Sequence, residues 1–407
     1  MTTVRTALVI GGGIAGPVAA LALHRAGITA TVVEAYPPPA SGAGGIGGIG
    51  GTLALAPNGV AALRAVGADE AVTAIATGIH RSVMAVGARR IDLPMLAGVP
   101  PLRVVHRAEL HRVLHDRAVA EGITFAYGKR LVDVTQTDDG VTARFEDGTT
   151  ATADVLVGAD GIRSPVRGLI DPAAPGPRFT GLLGFEAVAR HEVDAEEGTM
   201  TFAFGRRGYY LYWPEPGGGT RWGANLPGQR PMSLVEARTV PARQWLDTLR
   251  ATYGDDDPGR ELMATSSADD LQVAGALQIM PPVPHWHRGR MVLVGDSAHA
   301  PSNSSGQGAS LAIESAVQLA RCLRDLPDVT SAFEAYVRLR RTRVEKVAAR
   351  AARINHTKAP GPVARTLMPL LIPLLVRTAM DPERTVAHEQ RYVIDFDAPV
   401  TAEPALR

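Results

Sequence analysis

The sequence feature that most constrains this chain is a glycine-rich turn near its start. The segment GGGIAG fits the pattern GxGxxG with Gly11, Gly13 and Gly16. It follows an apolar run typical of a strand and precedes PVAALALHRAG, which is typical of a helix. In a βαβ unit these glycines permit a tight turn, close backbone approach to a pyrophosphate, and close packing of the helix on the strand. The pattern therefore predicts a dinucleotide-binding fold.

An acidic residue ends the next predicted strand. Glu34 closes the run TATVVE. A carboxylate at this position can accept hydrogen bonds from ribose hydroxyls, and it disfavours a 2′-phosphate. The sequence thus favours FAD or NAD over NADP as the dinucleotide bound at this turn.

Composition and charge narrow the function classes. The 407 residues are 45% hydrophobic, which is enough for a substantial core in two or three domains. Lys plus Arg (42) nearly balance Asp plus Glu (41), so no electrostatic argument favours nucleic acid or an anionic membrane as a partner. The arginine-rich run 338–353 has interleaved apolar positions, and we interpret it as a solvated amphipathic helix.

Three further features argue against export, membrane insertion and metal binding. The single cysteine, Cys322, excludes an internal disulfide framework and favours a reducing cytoplasm. The apolar run Leu367 to Val376 is too short to span a bilayer. His285 and His287 flank a tryptophan but have no third ligand nearby, so no metal site is predicted.

The pattern of apolar and polar residues changes in the middle of the chain. Aromatic-rich alternating runs between residues 180 and 278 are typical of an antiparallel sheet with one covered face. A buried strand, Met291 to Val294, then restores the dinucleotide-fold pattern. We therefore predict an α/β protein in which a Rossmann-like FAD-binding domain carries an inserted antiparallel-sheet substrate domain and a C-terminal helical tail. The predicted boundaries are 1–76, 100–175 and 278–335 for the FAD-binding domain, 77–99 and 176–277 for the substrate domain, and 336–407 for the C-terminal helical region.

Two more motifs stand at the ends of predicted buried strands. The first is GADGIRSPVR, residues 158–167, and the second is VGDSAHAPSNSSGQGASLAIESA, residues 294–316. With the glycine turn, in this order and spacing, they closely resemble the group A flavoprotein aromatic hydroxylases, the para-hydroxybenzoate hydroxylase family. The resemblance extends over roughly residues 4 to 345.

The resemblance implies residue roles in an FAD site. Asp296 would bind the ribitol, and the Asp160 segment would serve both the pyrophosphate region and the reduced nicotinamide cofactor. Arg107 would reach the phosphates or the ribitol with charge-assisted bonds. The segment 47–59 resembles the loop beside the isoalloxazine, and the helix beginning near Ala309 would point its N-terminus at the pyrimidine side of the ring. The complete set of predicted FAD-binding residues is Gly11, Gly13, Ile14, Ala15, Gly16, Glu34, Ala35, Arg107, Leu131, Asp160, Asp296, Gly306, Gly308 and Ala309.

The resemblance also implies a reaction. NADH or NADPH would reduce FAD, O2 would add to give a flavin C4a-hydroperoxide, and one oxygen would pass to an aromatic or polyketide-like small molecule. An FAD-dependent epoxidase acting on an alkene, and a non-catalytic flavin-binding redox sensor, stay open as alternatives. A monomer and a homodimer are both compatible with the sequence.

The substrate pocket is expected between the flavin and the antiparallel sheet. Alternation along the run YYLYW means that only one set of side chains, either Tyr210 and Tyr212 or Tyr209, Leu211 and Trp213, faces the flavin. We predict Tyr210 and Tyr212 as the pocket residues.

Overall fold

The computed structural model describes residues 4–38, 51–357 and 381–401. Its strands are β1 (Thr6–Ile10), β2 (Thr29–Val33), β3 (Thr52–Leu55), β4 (Thr77–Ile79), β5 (Arg81–Val86), β6 (Arg89–Leu93), β7 (Leu102–His106), β8 (Thr124–Ala126), β9 (Leu131–Gln136), β10 (Val141–Phe145), β11 (Thr150–Ala153), β12 (Val155–Gly158), β13 (Arg178–Ala189), β14 (Thr199–Phe204), β15 (Tyr209–Pro214), β16 (Thr220–Pro227), β17 (Gln272–Ile279), β18 (His287–Arg288) and β19 (Met291–Leu293). Its helices are α1 (Ala15–Arg25), α2 (Pro57–Leu63), α3 (Asp69–Ala74), α4 (Arg107–Ala120), α5 (Pro165–Ile170), α6 (Leu234–Thr239), α7 (Ala242–Tyr253), α8 (Gly259–Thr265), α9 (Gly308–Asp325), α10 (Val329–Thr357), α11 (Pro382–Thr385) and α12 (Ala387–Gln390).

A six-stranded sheet in the order β18-β19-β12-β1-β2-β8 forms the centre of the dinucleotide-binding part. All neighbours in it are parallel except β18, which runs antiparallel to β19. Strands β12 and β19 are fully buried, as expected for a parallel sheet covered on both faces. The predicted βαβ unit at the start of the chain is confirmed, because β1 and β2 pair in parallel and α1 connects them.

A seven-stranded sheet in the order β17-β13-β16-β15-β14-β5-β6 forms the inserted part. It is antiparallel, as predicted, except where β14 pairs in parallel with β5. Strands β5 and β6 come from an earlier part of the chain than the other five strands of the sheet. Aromatic side chains on one face pack under α7, where Leu246, Leu249 and Tyr253 are buried against them.

Two three-stranded sheets accompany the large ones. One has the order β3-β7-β4 and the other the order β11-β10-β9. Within the segment 77–99 that was assigned to the substrate domain, β5 and β6 do join the seven-stranded sheet, whereas β4 pairs with β7. The domain boundaries themselves stay a prediction.

The run 338–353 forms an amphipathic helix as predicted, since all of it lies in α10 and Val344 and Val347 are buried on one face. One of its arginines is not solvated, however, because Arg340 is completely buried. The reason is a tertiary contact: the Glu314 carboxylate is buried on α9 and pairs with Arg340 at 2.6 Å. Burial of the Glu314 carboxylate alone would be strongly unfavourable. The Arg340 guanidinium is therefore buried beside it as its partner.

Beyond α10, residues 381–401 pack back onto the dinucleotide-binding part; we call them the C-terminal strap. Arg324 donates to the Phe396 carbonyl at 2.7 Å, and Arg25 pairs with Asp397 at 2.7 Å. The apolar run Leu367 to Val376 lies outside the described residues. Within the described ranges, no helix has the length and apolar character needed to cross a membrane.

Candidate active site

The predicted cofactor residues come together at one edge of the six-stranded sheet. Because β19, β12, β1 and β2 are parallel neighbours, their carboxyl ends meet at this edge. Asp296, Asp160, the glycine turn and Glu34 follow these strands in that order. Residues that are far apart in sequence thus line one crevice.

The glycine turn has both crowded and open positions. Gly11 has a φ of +104°, and a Cβ built on it would lie 2.5 Å from the carbonyl oxygen of Ala159. A Cβ on Gly16 would overlap the Gly11 carbonyl oxygen, so the helix can approach the strand only without a side chain there. A Cβ on Gly13, in contrast, would meet nothing within 4 Å. The turn is therefore closed toward the sheet and open at Gly13, where a ligand would lie.

Helix α1 presents an uncapped N-terminus to this open space. Its N-cap residue, Ile14, makes no side-chain capping hydrogen bond, and no acidic residue occurs in the first turn, which begins at Ala15. The first N–H groups and the positive end of the helix dipole are therefore available to a phosphate.

Glu34 is buried at the end of β2 and held in place by backbone donors. Its Oε2 accepts from the Gly12 N–H at 2.7 Å, and its Oε1 accepts from the Tyr36 N–H at 2.9 Å. Ala35 is half-buried next in the chain, and Leu131 is buried at the start of β9. The carboxylate is thus fixed next to the glycine turn, where the ribose of a dinucleotide would lie.

Asp160 has an unsatisfied oxygen. Its Oδ2 accepts from the Val166 N–H at 3.0 Å, whereas its buried Oδ1 has no hydrogen-bond partner among the described residues. Burial raises the pKa of this carboxyl to about 6. An unpaired buried acceptor costs about 1–3 kcal/mol, so a ligand that donates a hydrogen bond here would gain affinity.

Arg107 lies close enough to Asp296 for its charge to act on that carboxyl. Burial raises the pKa of Asp296, and the Arg107 charge opposes that rise. A Cβ on Gly295 would lie 3.1 Å from the Ala15 Cβ, so the Asp296 turn packs against the start of α1. The exposed Arg107 side chain makes no hydrogen bond or ion pair with any other residue in the described ranges. An uncommitted guanidinium at this position suits an anionic group.

The start of α9 forms the other end of the crevice. Gly306 adopts a φ of +60°, and the helix then begins at Gly308 and Ala309 with neither a side-chain cap nor an acidic residue in its first turn. A Cβ on Gly306 would lie 3.4 Å from the Ala54 Cβ and 3.8 Å from Leu102. The start of α9 therefore lies against β3 and β7.

The two predicted pocket tyrosines lie on the wrong face of the seven-stranded sheet. Tyr210 and Tyr212 are buried in the cluster beneath α7, and the Tyr210 ring contacts the Tyr253 ring edge-on at 5.3 Å. Leu211 and Trp213 instead pack with a cluster that includes Leu102 of β7, the strand that borders Gly306. Leu211 and Trp213 of the second set considered from the sequence thus lie on the face toward β7.

A link between the seven-stranded sheet and the small sheet β3-β7-β4 was not predicted from the sequence. Glu186 on β13 accepts from the Thr52 hydroxyl at 2.7 Å and from the Thr52 N–H at 2.8 Å. Arg221 on β16 donates to the same carboxylate at 3.0 Å and to Glu215 at 2.7 Å. The signal was a single carboxylate within the otherwise apolar run GLLGFEAVA. This contact fixes the beginning of β3 against the seven-stranded sheet.

The residues fit an FAD. Open space at Gly13, two uncapped helix N-termini, a buried acceptor on Asp160 and an uncommitted Arg107 are the features that such a ligand requires. The individual residue roles stay predictions. Residues 47–50 of the predicted isoalloxazine loop lie outside the described residues.

Comparison with known proteins agrees with this geometry. A family model described as FAD binding domain matches residues 4–242 and 264–351. The 3-amino-4-hydroxybenzoate 2-monooxygenase of Streptomyces cremeus is 30% identical over 367 residues, covering 85% of this chain and 86% of the relative. The aurachin C monooxygenase/isomerase of Stigmatella aurantiaca is 29% identical over 380 residues, covering 87% and 90%. The crystal structure of Klebsiella pneumoniae HpxO complexed with FAD and uric acid has a TM-score of 0.78 at 24% identity and covers 94% of this chain and 95% of that chain.

Proposed function

This chain belongs to the FAD binding domain family, and from that premise we propose that this FAD-dependent monooxygenase takes electrons from NADH or NADPH and uses O2 to hydroxylate an aromatic or polyketide-like small molecule. The observation that carries the cofactor part is the crevice itself, which is open at Gly13 and bordered by the uncapped starts of α1 and α9. Bound FAD would supply electron transfer from the nicotinamide and reaction with O2, chemistry that side chains cannot provide.

The protein's part is to bind and orient. In this proposal Glu34 accepts hydrogen bonds from the ribose, the start of α1 binds the pyrophosphate, and Asp296 holds the ribitol. The start of α9 lies at the pyrimidine side of the ring. A helix N-terminus stabilises a nearby anion by about 0.3–1 kcal/mol, and by more when partly buried, so α9 would favour the reduced ring over the oxidised one.

The substrate pocket lies, in this proposal, between the start of α9 and the crevice face of the seven-stranded sheet. Phe202 and Leu211 contribute apolar surface on that face. Trp222 and Ala224 are buried on the opposite face, so alternation along β16 places Asn225 on the crevice face, where its amide could orient a polar substituent. Such a lining suits an aromatic substrate and excludes the water that would release peroxide.

The first experiment measures bound flavin and turnover. The purified protein is titrated with FAD, and NADH and NADPH oxidation is followed with oxygen uptake across a panel of phenols and polycyclic aromatics, with the products identified. We expect flavin binding and substrate-stimulated oxidation with an added hydroxyl in the product. An FAD-loaded protein whose oxidation of both nicotinamides is indifferent to every aromatic would instead indicate the redox sensor.

A pair of glycine variants tests the position of the cofactor. Gly13→Leu adds a side chain in the open part of the turn and should weaken FAD binding at least roughly 100-fold, since a bulky group there blocks backbone approach to the pyrophosphate. Gly176→Leu is the control, because its Cβ also meets open space but lies in an exposed loop outside the crevice. Both variants should unfold at the same urea concentration in FAD-free form. Normal FAD affinity in Gly13→Leu would place the cofactor elsewhere.

A further inference from the structure

A fully buried carboxylate on α9 connects three parts of the molecule. Glu314 pairs with Arg340 at 2.6 Å and with Arg343 at 2.8 Å, and it accepts from the Asn58 side-chain amide at 2.6 Å. Burial works against ionisation of Glu314, but the two arginines outweigh it and lower its pKa. The carboxylate therefore stays charged in the core.

From this carboxylate a hydrogen-bond chain runs to the start of α9. The Asn58 Nδ2 donates both to Glu314 Oε1 and to the Gln307 side-chain oxygen, the latter at 3.0 Å. Both partners are acceptors, so the orientation of the Asn58 amide is determined by its contacts. Gln307 is itself buried and is the N-cap residue of α9, directly between Gly306 and Gly308.

The same carboxylate is held from the outside by the C-terminal strap. Arg343, while pairing with Glu314, also donates to the carbonyl oxygens of His388 at 3.0 Å and Glu389 at 2.7 Å. Glu389 is buried and forms two hydrogen bonds of 2.6 Å with Arg350. The position of Glu314 is thus fixed by α10 and the strap, independently of any ligand.

We propose that Asn58 is a positioning residue for the flavin: clamped by Glu314, it holds Gln307, and with it the first turn of α9, against the pyrimidine side of the ring. This inference rests on the proposed FAD site. Because Asn58 uses both amide hydrogens on these two acceptors, its loss frees the Gln307 side chain at the point where the helix N-terminus must stay aligned to stabilise the reduced ring.

The test measures the two-electron midpoint potential of bound FAD by anaerobic equilibration with a reference dye, together with the Kd of oxidised FAD. Asn58→Ala should lower the ratio of reduced to oxidised FAD affinity about tenfold, which for a two-electron couple is about 30 mV. Gln307→Ala should produce a shift of the same size. The double variant should shift no further than either single variant, since each single variant already removes the same Asn58–Gln307 hydrogen bond.

Ser310→Ala is the matched control. It removes a 3.0 Å hydrogen bond from the Ala56 N–H to the Ser310 hydroxyl, which joins the residue before α2 to the first turn of α9 but does not involve Gln307. The affinity ratio in this variant should stay within threefold of wild type. An equal shift in Ser310→Ala, additive shifts in the double variant, or unshifted potentials in Asn58→Ala and Gln307→Ala would each overturn the role of Asn58. A wild-type protein that binds no FAD would overturn this inference and the proposed function together.

Discussion

At the scale of single residues, the crevice contains a carboxylate oxygen that has no hydrogen-bond partner among the described residues. Asp160 ends the parallel strand β12 with one oxygen bound to a backbone N–H and the other without a partner among the described residues. Its motif indicated that a functional carboxylate stands here, but its burial is visible only in the fold. Since burial raises its pKa to about 6, above the 3.8 of a free side chain, the protonated form is favoured on folding.

This shift predicts how stability depends on pH. The folded protein binds the Asp160 proton more tightly than the unfolded chain, so stability falls as pH rises from about 4 to about 6 and stays lower above that range. In Asp160→Asn this loss should disappear. We expect the FAD-free variant to be more stable than wild type by about 1–2 kcal/mol at pH 8, after allowance for partial solvent exposure, with a smaller difference at pH 4.5.

Urea unfolding of both FAD-free proteins at the two pH values measures the difference. Asp171→Asn is a suitable control, because Asp171 follows α5 nearby and accepts a local backbone hydrogen bond from Ala173. A gap between wild type and Asp160→Asn that is equal at pH 4.5 and pH 8 would contradict the prediction.

At the scale of elements, β15 separates the core from the pocket. Its alternate side chains pack either under α7, as Tyr210 does, or toward β7 and the crevice, as Leu211 does. Both faces are apolar and aromatic, so hydrophobic alternation predicts a strand but cannot indicate which face is covered by helices.

Of substitutions on the two faces, only those on the crevice face should change the coupling of NAD(P)H oxidation to hydroxylation. Leu211→Ala enlarges the pocket and admits water, so the ratio of peroxide to hydroxylated product should rise roughly threefold. Tyr210→Phe removes only a hydroxyl beneath the helices and should leave that ratio unchanged. Peroxide and product are measured together during NAD(P)H oxidation. A raised ratio in Tyr210→Phe with a normal ratio in Leu211→Ala would indicate that the pocket lies on the face of the sheet that carries Tyr210.

A structural feature can be predicted from the sequence when the residues that determine it lie close together along the chain. The glycine turn, α1 and β2 form one continuous unit whose residues specify one another, so the βαβ unit and its cofactor class were predictable. The burial of Arg340 was not, because it depends on Glu314, which belongs to another helix. Likewise the contact of Glu186 was not predictable, because its partner Thr52 is distant in the sequence and lies beside it only in the folded protein.

At the scale of the whole molecule, the two large sheets must hold cofactor and substrate in register. The Glu186 carboxylate connects the seven-stranded sheet to the small sheet β3-β7-β4, with Thr52 at the start of β3 on one side and Arg221 within the seven-stranded sheet on the other. Its side chain is largely buried, so this contact is screened less than a surface ion pair.

Loss of this contact should affect coupling more than cofactor binding. Glu186→Ala should leave the FAD Kd within roughly twofold of wild type, because the crevice lies at the six-stranded sheet, but should reduce the product formed per NAD(P)H oxidised roughly threefold through misplacement of the substrate. Asp92→Ala removes an exposed ion pair with Arg81 at the far edge of the same sheet and serves as the control. Weakened FAD binding with normal coupling in Glu186→Ala would contradict this division of roles.

The strand order of the central sheet has a consequence for biosynthesis. Residue 8 pairs with residue 156, and residue 156 pairs with residue 291, while the strap that packs over this part extends to residue 401. A chain emerging from the ribosome N-terminus first therefore exposes β1 and its glycine turn long before β19 and Asp296 exist. Such distant pairings are slow to form, so the nascent chain is most vulnerable to aggregation and proteolysis in the interval before β19 emerges. Flavin can reach a complete binding site only after β19 and the start of α9 have been synthesised.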